Sequence, residues 1–257
     1  MGYLKKEIIG DCTLYLGDCL DVMPLVHSVD AVICDPPYGT TNCKWDSVID
    51  FNDMWCRIDH TLKSIHSPVV LFGSEPFSSR LRLSNIDHYK YDWIWDKIKS
   101  TGFLNAKKQP MRGHELISVF YQKQCLYNPQ KTFGHNMRTS KRGKGKANVY
   151  NDYDGSVYSS NERFPRTIQA FSSDTQNSSF HPTQKPLALM EFLVKTYTDK
   201  GGLVLDFTMG SGTTLAACAK TGRSGIGIEL DPDYFDIACK RVEDAYRQGD
   251  LFSGGAV

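Results

Sequence analysis

Four consecutive residues, Asp35, Pro36, Pro37 and Tyr38, combine hydrogen-bond acceptors with a flat ring at the end of an apolar run. The run, 31–34, is short and β-branched and predicts a buried strand. Proline has no N–H to donate, so the backbone here keeps carbonyl oxygens available to a ligand. The carboxylate of Asp35 is a second acceptor beside them.

Two fixed acceptors next to an aromatic ring suit an amino group attached to a planar heterocycle. The acceptors would bind its two N–H bonds, and Tyr38 would stack on the ring. Such contacts would direct the lone pair of the nitrogen at an electrophile and stabilise the positive charge that develops on it. Taken alone, the stretch also fits a strand that ends in a Pro-Pro turn with a buried tyrosine.

A second run of small residues, 206–214, follows a predicted strand and begins a predicted helix. Glycines there let a ligand approach the backbone, and the helix N-terminus offers free N–H groups. The next strand ends in Glu229, at the place where a carboxylate commonly accepts the hydroxyls of a ribose. No glycine-rich loop is followed by Lys-Ser or Lys-Thr, which disfavours a P-loop NTPase. A nucleoside cofactor fits this run, and so does a βαβ unit whose glycines only allow tight packing.

The elements that position these residues alternate along the chain. Apolar runs rich in β-branched and aromatic residues predict strands at 13–16, 31–34, 69–72, 91–95, 116–121, 203–206 and 225–229. Apolar spacing of about 3.6 residues predicts helices at 51–65, 76–83, 186–198, 212–221 and 232–247. Alternating strands and helices predict one α/β domain, with a mostly parallel sheet of seven strands and helices on both faces.

Residues 122–180 do not fit this pattern and predict an insert, since a long segment without periodicity is usually functional or disordered. Its first part, 122–149, holds seven basic residues and none of the 29 acidic residues of the chain. The net charge of +1 therefore conceals a basic segment. Such a run is usually a solvated face, and the alternative is contact with phosphates. The seven are Lys123, Lys131, Arg138, Lys141, Arg142, Lys144 and Lys146.

Composition excludes several classes of protein. No run approaches the roughly 18 apolar residues that a membrane span needs, and no apolar block follows the start as in a signal peptide. The eight cysteines form no CxxC pair and have no paired histidine spacing beside them, which disfavours a zinc site. We therefore expect a cytoplasmic protein without a metal ion.

Together, the elements at 35–38 and 206–213 resemble the amino DNA methyltransferases that use S-adenosylmethionine. The Asp-Pro-Pro-Tyr element comes first, an order similar to that of the β group, in which the region that reads the target lies between the two. Matches at 16–19, 181–186 and 227–231 support the resemblance, which covers 12–242 except the insert. It implies a Rossmann-like methyltransferase sheet with permuted motif order.

The resemblance also implies a division of the chain and a role for each matching residue. The parts are a catalytic half at 1–121, a target-recognition insert at 122–180, a cofactor-binding half at 181–247 and a tail at 248–257. Residues 35–38 would hold the target amine. Asp206 and the turn after it would hold the methionine part of the cofactor, Glu229 its ribose, Asp18 its adenine amino group and Lys185 its carboxylate. The full cofactor set is Asp18, Cys19, Asp35, Lys185, Asp206, Phe207, Gly210, Ser211, Gly212, Thr213 and Glu229.

Without the resemblance, Asp18 is most simply a surface turn residue and Lys185 a solvated lysine before a helix. The loop 40–45, which follows Tyr38, either closes on DNA or is an ordinary loop with Trp45 in the core. The expected DNA-phosphate contacts are Lys44, Lys131, Arg138, Lys141, Arg142, Lys144 and Lys146.

The function implied is site-specific transfer of a methyl group to N6 of adenine in double-stranded DNA, after the base is flipped out of the stack. In this family an Asp at position 35 favours adenine, and a Ser there would favour N4 of cytosine, which is the alternative. Methyltransferases of RNA or of protein glutamine usually have Asn in place of Asp35. A non-catalytic DNA-binding relic would not need intact acceptors. The resemblance leaves open a homodimer and a cognate restriction enzyme.

Overall fold

The computed structural model describes residues 2–39, 47–142, 156–172 and 184–253. The strands are β1 (Lys5–Ile9), β2 (Cys12–Leu16), β3 (Ala31–Cys34), β4 (Val69–Gly73), β5 (Tyr89–Thr101), β6 (Arg112–Phe120), β7 (Arg138–Arg142), β8 (Ser156–Ser160), β9 (Ile168–Ala170), β10 (Leu203–Asp206) and β11 (Ser224–Glu229). The α-helices are α1 (Cys19–Val22), α2 (Phe51–Thr61), α3 (Phe77–Ser84), α4 (Leu187–Tyr197), α5 (Thr213–Thr221) and α6 (Pro232–Ser253).

The main sheet has nine strands in the order β1-β2-β11-β10-β3-β4-β6-β5-β9. All seven predicted strands form and are neighbours in this sheet, from β2 to β5. Pairing is parallel from β2 through β4 and antiparallel between β4, β6 and β5. The α/β prediction is confirmed, but the number of strands was wrong. The two additional strands lie at the edges, where half-exposed residues of β1 and a three-residue β9 carry little hydrophobic signal.

Helices cover both faces of the sheet, as predicted. On one face α4, α5 and α6 pack against Leu14, Ile33 and Val70. On the other face α1, α2 and α3 pack against Val32 and Leu71. Because β3 and β4 are buried on both sides, they read as continuous apolar runs rather than as alternating ones.

Two helix ends differ from the prediction. Residues 62–65 leave the helical path after α2, since the backbone N–H of Lys63 donates to the carbonyl of Val29. Helix α6 continues to Ser253, so the predicted tail begins as helix. Within α6, Arg247 forms ion pairs with Glu243 and Asp244 one turn earlier, which supports helix in this region.

The chain divides into two compact units, one formed by Met1–Asn128 and Thr167–Val257 and the other by Pro129–Arg166. In the smaller unit β7 and β8 form an antiparallel pair, and Thr132 bridges to Arg163. The boundaries differ from the predicted insert at 122–180. Residues 122–128 and 167–172 belong to the larger unit, where β9 pairs with β5. In the described part of the chain, no helix is long and apolar enough to cross a membrane.

Strand order reverses between β3 and β10. The chain runs from β3 through α2 to β4 on one side and from β10 through α5 to β11 on the other, although β3 and β10 are parallel neighbours. In open α/β sheets, ligands bind at the carboxyl ends of the strands at such a switch point. Asp35 follows β3 directly, and Asp206 is the last residue of β10.

Candidate active site

A cavity of about 510 Å³ lies at this edge of the sheet. Its volume is in the range of small-molecule sites. The structure brings the predicted catalytic residues and almost all of the predicted cofactor residues to its wall, and among the cofactor set only Gly212 does not line it. The predicted residues that do are Asp18, Cys19, Asp35, Pro36, Pro37, Tyr38, Lys185, Asp206, Phe207, Gly210, Ser211, Thr213 and Glu229.

A chain of four alternating charges runs along one wall of the cavity. Nζ of Lys185 lies 2.5 Å from Oδ2 of Asp35 and 3.3 Å from Oε2 of Glu115. The other oxygen of Glu115 pairs with Nζ of Lys97 at 2.5 Å. Lys185 and Glu115 are largely buried, whereas 26% of the Asp35 side chain remains exposed to the cavity. Asp35 is therefore held by a cation and still accessible to a ligand.

The charge chain sets the protonation of its members. Burial raises the pKa of Asp35, and the ammonium of Lys185 opposes that rise. Burial would lower the pKa of Lys185, but the carboxylates of Asp35 and Glu115 raise it. Burial would raise the pKa of Glu115, yet its two lysine partners hold it below the usual value. Lys185 is therefore charged in the folded protein, and Glu115 is ionised.

The acceptors at 35–38 are oriented by their neighbours. The hydroxyl of Tyr38 donates to Oδ1 of Asp35, and its ring lies 5.0 Å from that of Phe77, tilted by 32°. The backbone carbonyl of Asp35 accepts a bond of 3.0 Å from Oγ1 of Thr208, which follows β10. This bond links the ends of β3 and β10. Each Asp35 oxygen retains a lone pair beyond its present bond.

The glycine turn before α5 depends on backbone geometry that only glycine adopts easily. Gly212 has a φ of +76°, and a Cβ there would lie 2.9 Å from Cβ of Ala238. Arg241 of α6 donates to the carbonyl and hydroxyl oxygens of Ser211 at 2.7 and 2.6 Å and to the hydroxyl of Thr213 at 3.1 Å. Gly212 thus shapes the turn from behind, while its neighbours face the cavity.

Three carboxylates hold or border this turn. Asp206 is buried, accepts from the hydroxyl of Thr214 at 2.5 Å, and burial raises its pKa to about 6. Glu229 accepts from three backbone N–H groups, among them that of Gly210 at 2.8 Å, and burial raises its pKa. Asp18 is exposed and caps α1 by accepting from the backbone of Leu20. One lone pair of Glu229 and the second oxygen of Asp18 are left for a ligand.

The cavity also contains an unsatisfied buried acceptor. Gln184 is 9% exposed, and among the described residues no hydrogen-bond donor reaches its Oε1. Buried polar atoms are nearly always paired, so this oxygen is an acceptor that suits a ligand with an N–H or O–H group. A nucleoside that carries an amine and hydroxyls fits these donors and acceptors. No three His, Cys, Asp or Glu residues of the described segments cluster as metal ligands.

The predicted DNA contacts are distributed differently. Lys44, Lys144, Lys146 and the whole loop 40–45 lie outside the described residues, as do residues 181–183 of the match at 181–186. In the smaller unit Arg138 and Lys141 lie on β7, and Arg142 ends it. Lys131 is paired with Glu162 at 2.9 Å, a partner that the sequence did not indicate.

Comparison of the sequence with models of known protein families identifies the family of this chain. The family model for DNA methylase, which covers N6 and N4 methyltransferases, matches residues 29–240. This chain is a member of the DNA methylase family. The match begins just before β3 and ends inside α6, so it contains both motifs and the segment between them.

Relatives of this DNA methylase include type II methyltransferases. M.HpaI of Haemophilus parainfluenzae is 27% identical over 86% of this chain and 70% of its own length. M.HinfI of Haemophilus influenzae is also 27% identical, over 94% and 71% of the two chains. These relatives and the family model confirm the resemblance seen in the sequence.

Solved structures of the same fold include the complex of M1.HpyAVI with S-adenosylmethionine. That structure has a TM-score of 0.64 and 25% identity and covers 90% of this chain and 98% of its own. The PvuII DNA methyltransferase, described as cytosine-N4-specific, has a TM-score of 0.67 at 16% identity, over 96% and 95% of the two chains. The fold predicted from the resemblance is thereby confirmed.

Five residues of the methylase site received no role in the sequence analysis. Gln184 is one of them, because the match at 181–186 gave a role only to Lys185. Glu115 and Lys97 lie on paired strands but carry no motif, and only the fold brings Lys97 to Glu115 and Glu115 to Lys185. Thr208 lies inside the matching element at 206–213, which gives its side chain no role of its own. Arg241 lies inside an amphipathic helix, where a charged residue usually faces solvent. Sequence spacing gave no signal for either lysine–glutamate contact.

Proposed function

We propose that this DNA methylase transfers a methyl group from S-adenosylmethionine to the exocyclic N6 of adenine in double-stranded DNA. One observation carries the proposal. The carboxylate of Asp35 lies at the switch point of the sheet, fixed by Lys185 and Tyr38, in one cavity with the glycine turn and Glu229.

The residues of the cavity fit S-adenosylmethionine, which M1.HpyAVI binds in its solved complex. Glu229 would accept from a ribose hydroxyl, and Asp18 from the adenine amino group. The unsatisfied Oε1 of Gln184 would accept from the cofactor's ammonium. Lys185 has three N–H groups, so it can donate to the cofactor carboxylate while it keeps its hydrogen bond to Asp35. When bound, this cofactor supplies a methyl group on a positively charged sulfur.

The target amine is held by residues of this chain. Oδ1 of Asp35 and the carbonyl of Pro36 accept its two N–H bonds, and Tyr38 stacks on the base. Acceptors fixed in this way stabilise the charge that builds on nitrogen more than they stabilise the neutral amine, which lowers the barrier. Asp35 is also the group that can hold the proton that the nitrogen loses, because burial raises its pKa.

Adenine is the proposed base because Asp precedes Pro-Pro-Tyr in this chain. N4 of cytosine presents the same kind of amine to the same acceptors, and it stays the alternative. The Asp35 carboxylate argues against RNA or protein glutamine as the substrate, and the basic smaller unit argues further against protein glutamine. DNA phosphates would be bound by the basic residues of β7, with flipping of the target base into the cavity.

Analysis of the modified nucleoside tests the proposal. The full chain is incubated with duplex DNA and methyl-deuterated S-adenosylmethionine, and the digested DNA is analysed by mass spectrometry. We expect deuterated N6-methyl-2′-deoxyadenosine, and about 10²- to 10³-fold slower formation of it with Asp35→Ala as the matched control. Detection of deuterated N4-methyl-2′-deoxycytidine instead would show that the target base is cytosine. Label in RNA or in protein but not in duplex DNA would overturn the proposal.

A further inference from the structure

Strands β5 and β6 form a hairpin that extends well beyond the covered sheet. They are paired from Tyr89 and Phe120 at one end to Thr101 and Arg112 at the other. The inner part is buried at Trp93 and Trp95, whereas residues 98–112 are exposed. The register shifts between Asp96 and Thr101, which bends the outer part relative to the inner part.

The exposed end of the hairpin carries large apolar side chains. Phe103 is 78% exposed, Leu104 98% and Ile98 63%. Single exposed apolar residues are normal on a protein surface. Three on one short hairpin end, two of them adjacent at the turn, indicate contact with another molecule.

The same segment is strongly basic. Residues 97–114 contain five Lys or Arg residues and no acidic residue. Lys97 is paired with Glu115, but in the described part of the chain Lys99, Lys107, Lys108 and Arg112 form no ion pair. Positive charge without intramolecular partners is typical of a surface that binds phosphates.

The stem of the hairpin is part of the active-site wall. Lys99, Thr101, Arg112 and His114 line the same cavity as Asp35. Thr101 and Arg112 face each other in the ladder, and the turn begins one residue beyond them. Since a strand rises about 3.3 Å per residue, the turn lies at the rim of the cavity that receives the target base.

We propose that this hairpin binds the DNA duplex at the target site. Phe103 and Leu104 would press into the base stack where the target nucleotide has left it, and Lys107 and Lys108 would contact the adjoining phosphates. Apolar side chains that enter a base stack are an established way of holding DNA distorted. The inference rests on the proposed function. A second copy of the chain is disfavoured as the partner, because a two-fold interface would bring two like-charged hairpins together.

The apolar contact is tested with the double variant Phe103→Ser/Leu104→Ser. Leu83→Ser, which changes a 73% exposed leucine on α3, is the matched control. On duplexes with 2-aminopurine at the target, we expect the double variant to lose most of the flipping fluorescence. Its kcat/KM on a normal duplex should fall about 10- to 100-fold, but less than about 3-fold when the target base is mismatched, because a mismatch already weakens stacking. Equal loss on both substrates, or no loss, would overturn the inference.

The phosphate contacts are tested with Lys107→Gln/Lys108→Gln, and Lys200→Gln on an exposed turn is the control. Two lost contacts should flatten the log–log dependence of DNA affinity on salt by about 1.8. An unchanged slope would contradict the proposal. So would a result in which Phe103→Ser/Leu104→Ser sediments as a monomer where the wild type sediments as a dimer, while its affinity for DNA stays the same. Absence of DNA methylation by the wild type would instead mean that the proposed function fails.

Discussion

The charge chain makes a prediction about how activity depends on pH. In Lys185→Met the carboxylate of Asp35 loses a cation whose Nζ lies 2.5 Å from Oδ2. At an effective dielectric constant near 20 the direct attraction is about 7 kcal/mol, part of which offsets the cost of burying the ions. Breaking a buried pair costs about 3–5 kcal/mol, and because 26% of the Asp35 side chain is exposed, the lower figure applies. About 3 kcal/mol corresponds to about 2 pKa units.

The sign follows from the charges. Removing the cation raises the pKa of Asp35, so at neutral pH less of it is ionised and able to accept the amine. The acidic limb of the kcat/KM–pH profile should shift to higher pH by about 2 units, and activity should recover in alkaline buffer. Glu115→Gln should move the limb in the opposite direction, because Glu115 raises the pKa of Asp35. Lys185→Met and Glu115→Gln are therefore two matched variants with opposite expected shifts.

The assay is kcat/KM for DNA from pH 5.5 to 9.5 at saturating S-adenosylmethionine. The cofactor Kd is measured in parallel by calorimetry, because Lys185 is also the predicted partner of the cofactor carboxylate. Variants whose profiles superimpose on the wild type, with only the cofactor Kd changed, would refute the reasoning. So would a limb that moves in the same direction in both variants.

Three further predictions concern the cofactor turn and the DNA surface. Burial raises the pKa of Asp206 to about 6, so the wild-type protein loses stability as pH rises through that value and the buried carboxyl ionises. The free energy of unfolding of Asp206→Asn in urea, relative to that of the wild type, should therefore increase by about 3 kcal/mol between pH 4 and pH 8. A difference that does not depend on pH would contradict the assignment. Gly212→Ala should destabilise the protein by about 1–3 kcal/mol more than Gly222→Ala, since both have positive φ but only the first meets Ala238; equal losses in unfolding would exclude the close contact. Neutralising Lys141, Arg142, Lys144 and Lys146 together should weaken DNA binding and flatten its salt dependence by about 0.9 per lost contact, whereas unchanged affinity and slope would mean a solvated face.

Much of the fold followed from the sequence because its central strands are buried on both faces. Continuous apolar runs such as β3 and β4 have few other interpretations in an α/β protein. The outer ends of β5 and β6 are exposed and, apart from Ile98, largely polar, so the apolar periodicity is lost there and the predicted strands cover only 91–95 and 116–121. The same weakness hid the edge strands β1 and β9.

Site residues were predictable where they belong to a motif, whereas the side-chain contacts that the fold makes between distant residues were not. Asp35 and Tyr38 are three positions apart in the sequence and form a recognisable motif. Lys185 reaches Asp35 across 150 positions, and Glu115 reaches Lys185 only because β6 lies beside β4 and β5 in the sheet. Arg241 contacts the glycine turn because α6 packs on α5. Long-range contacts of this kind depend on register and packing, which a single sequence does not specify.

The role of Asp35 is tested most directly by single-turnover methylation with Asp35→Ala, at saturating cofactor and with 2-aminopurine fluorescence as a readout of flipping. Losing one preset interaction with the developing charge should lower the rate about 10²- to 10³-fold. DNA binding and flipping should persist, because the basic residues and Tyr38 are unchanged. Tyr38→Ala should instead flip poorly, since it removes stacking worth about 1–3 kcal/mol. An Asp35→Ala enzyme that methylates DNA at nearly the wild-type rate would contradict the mechanism.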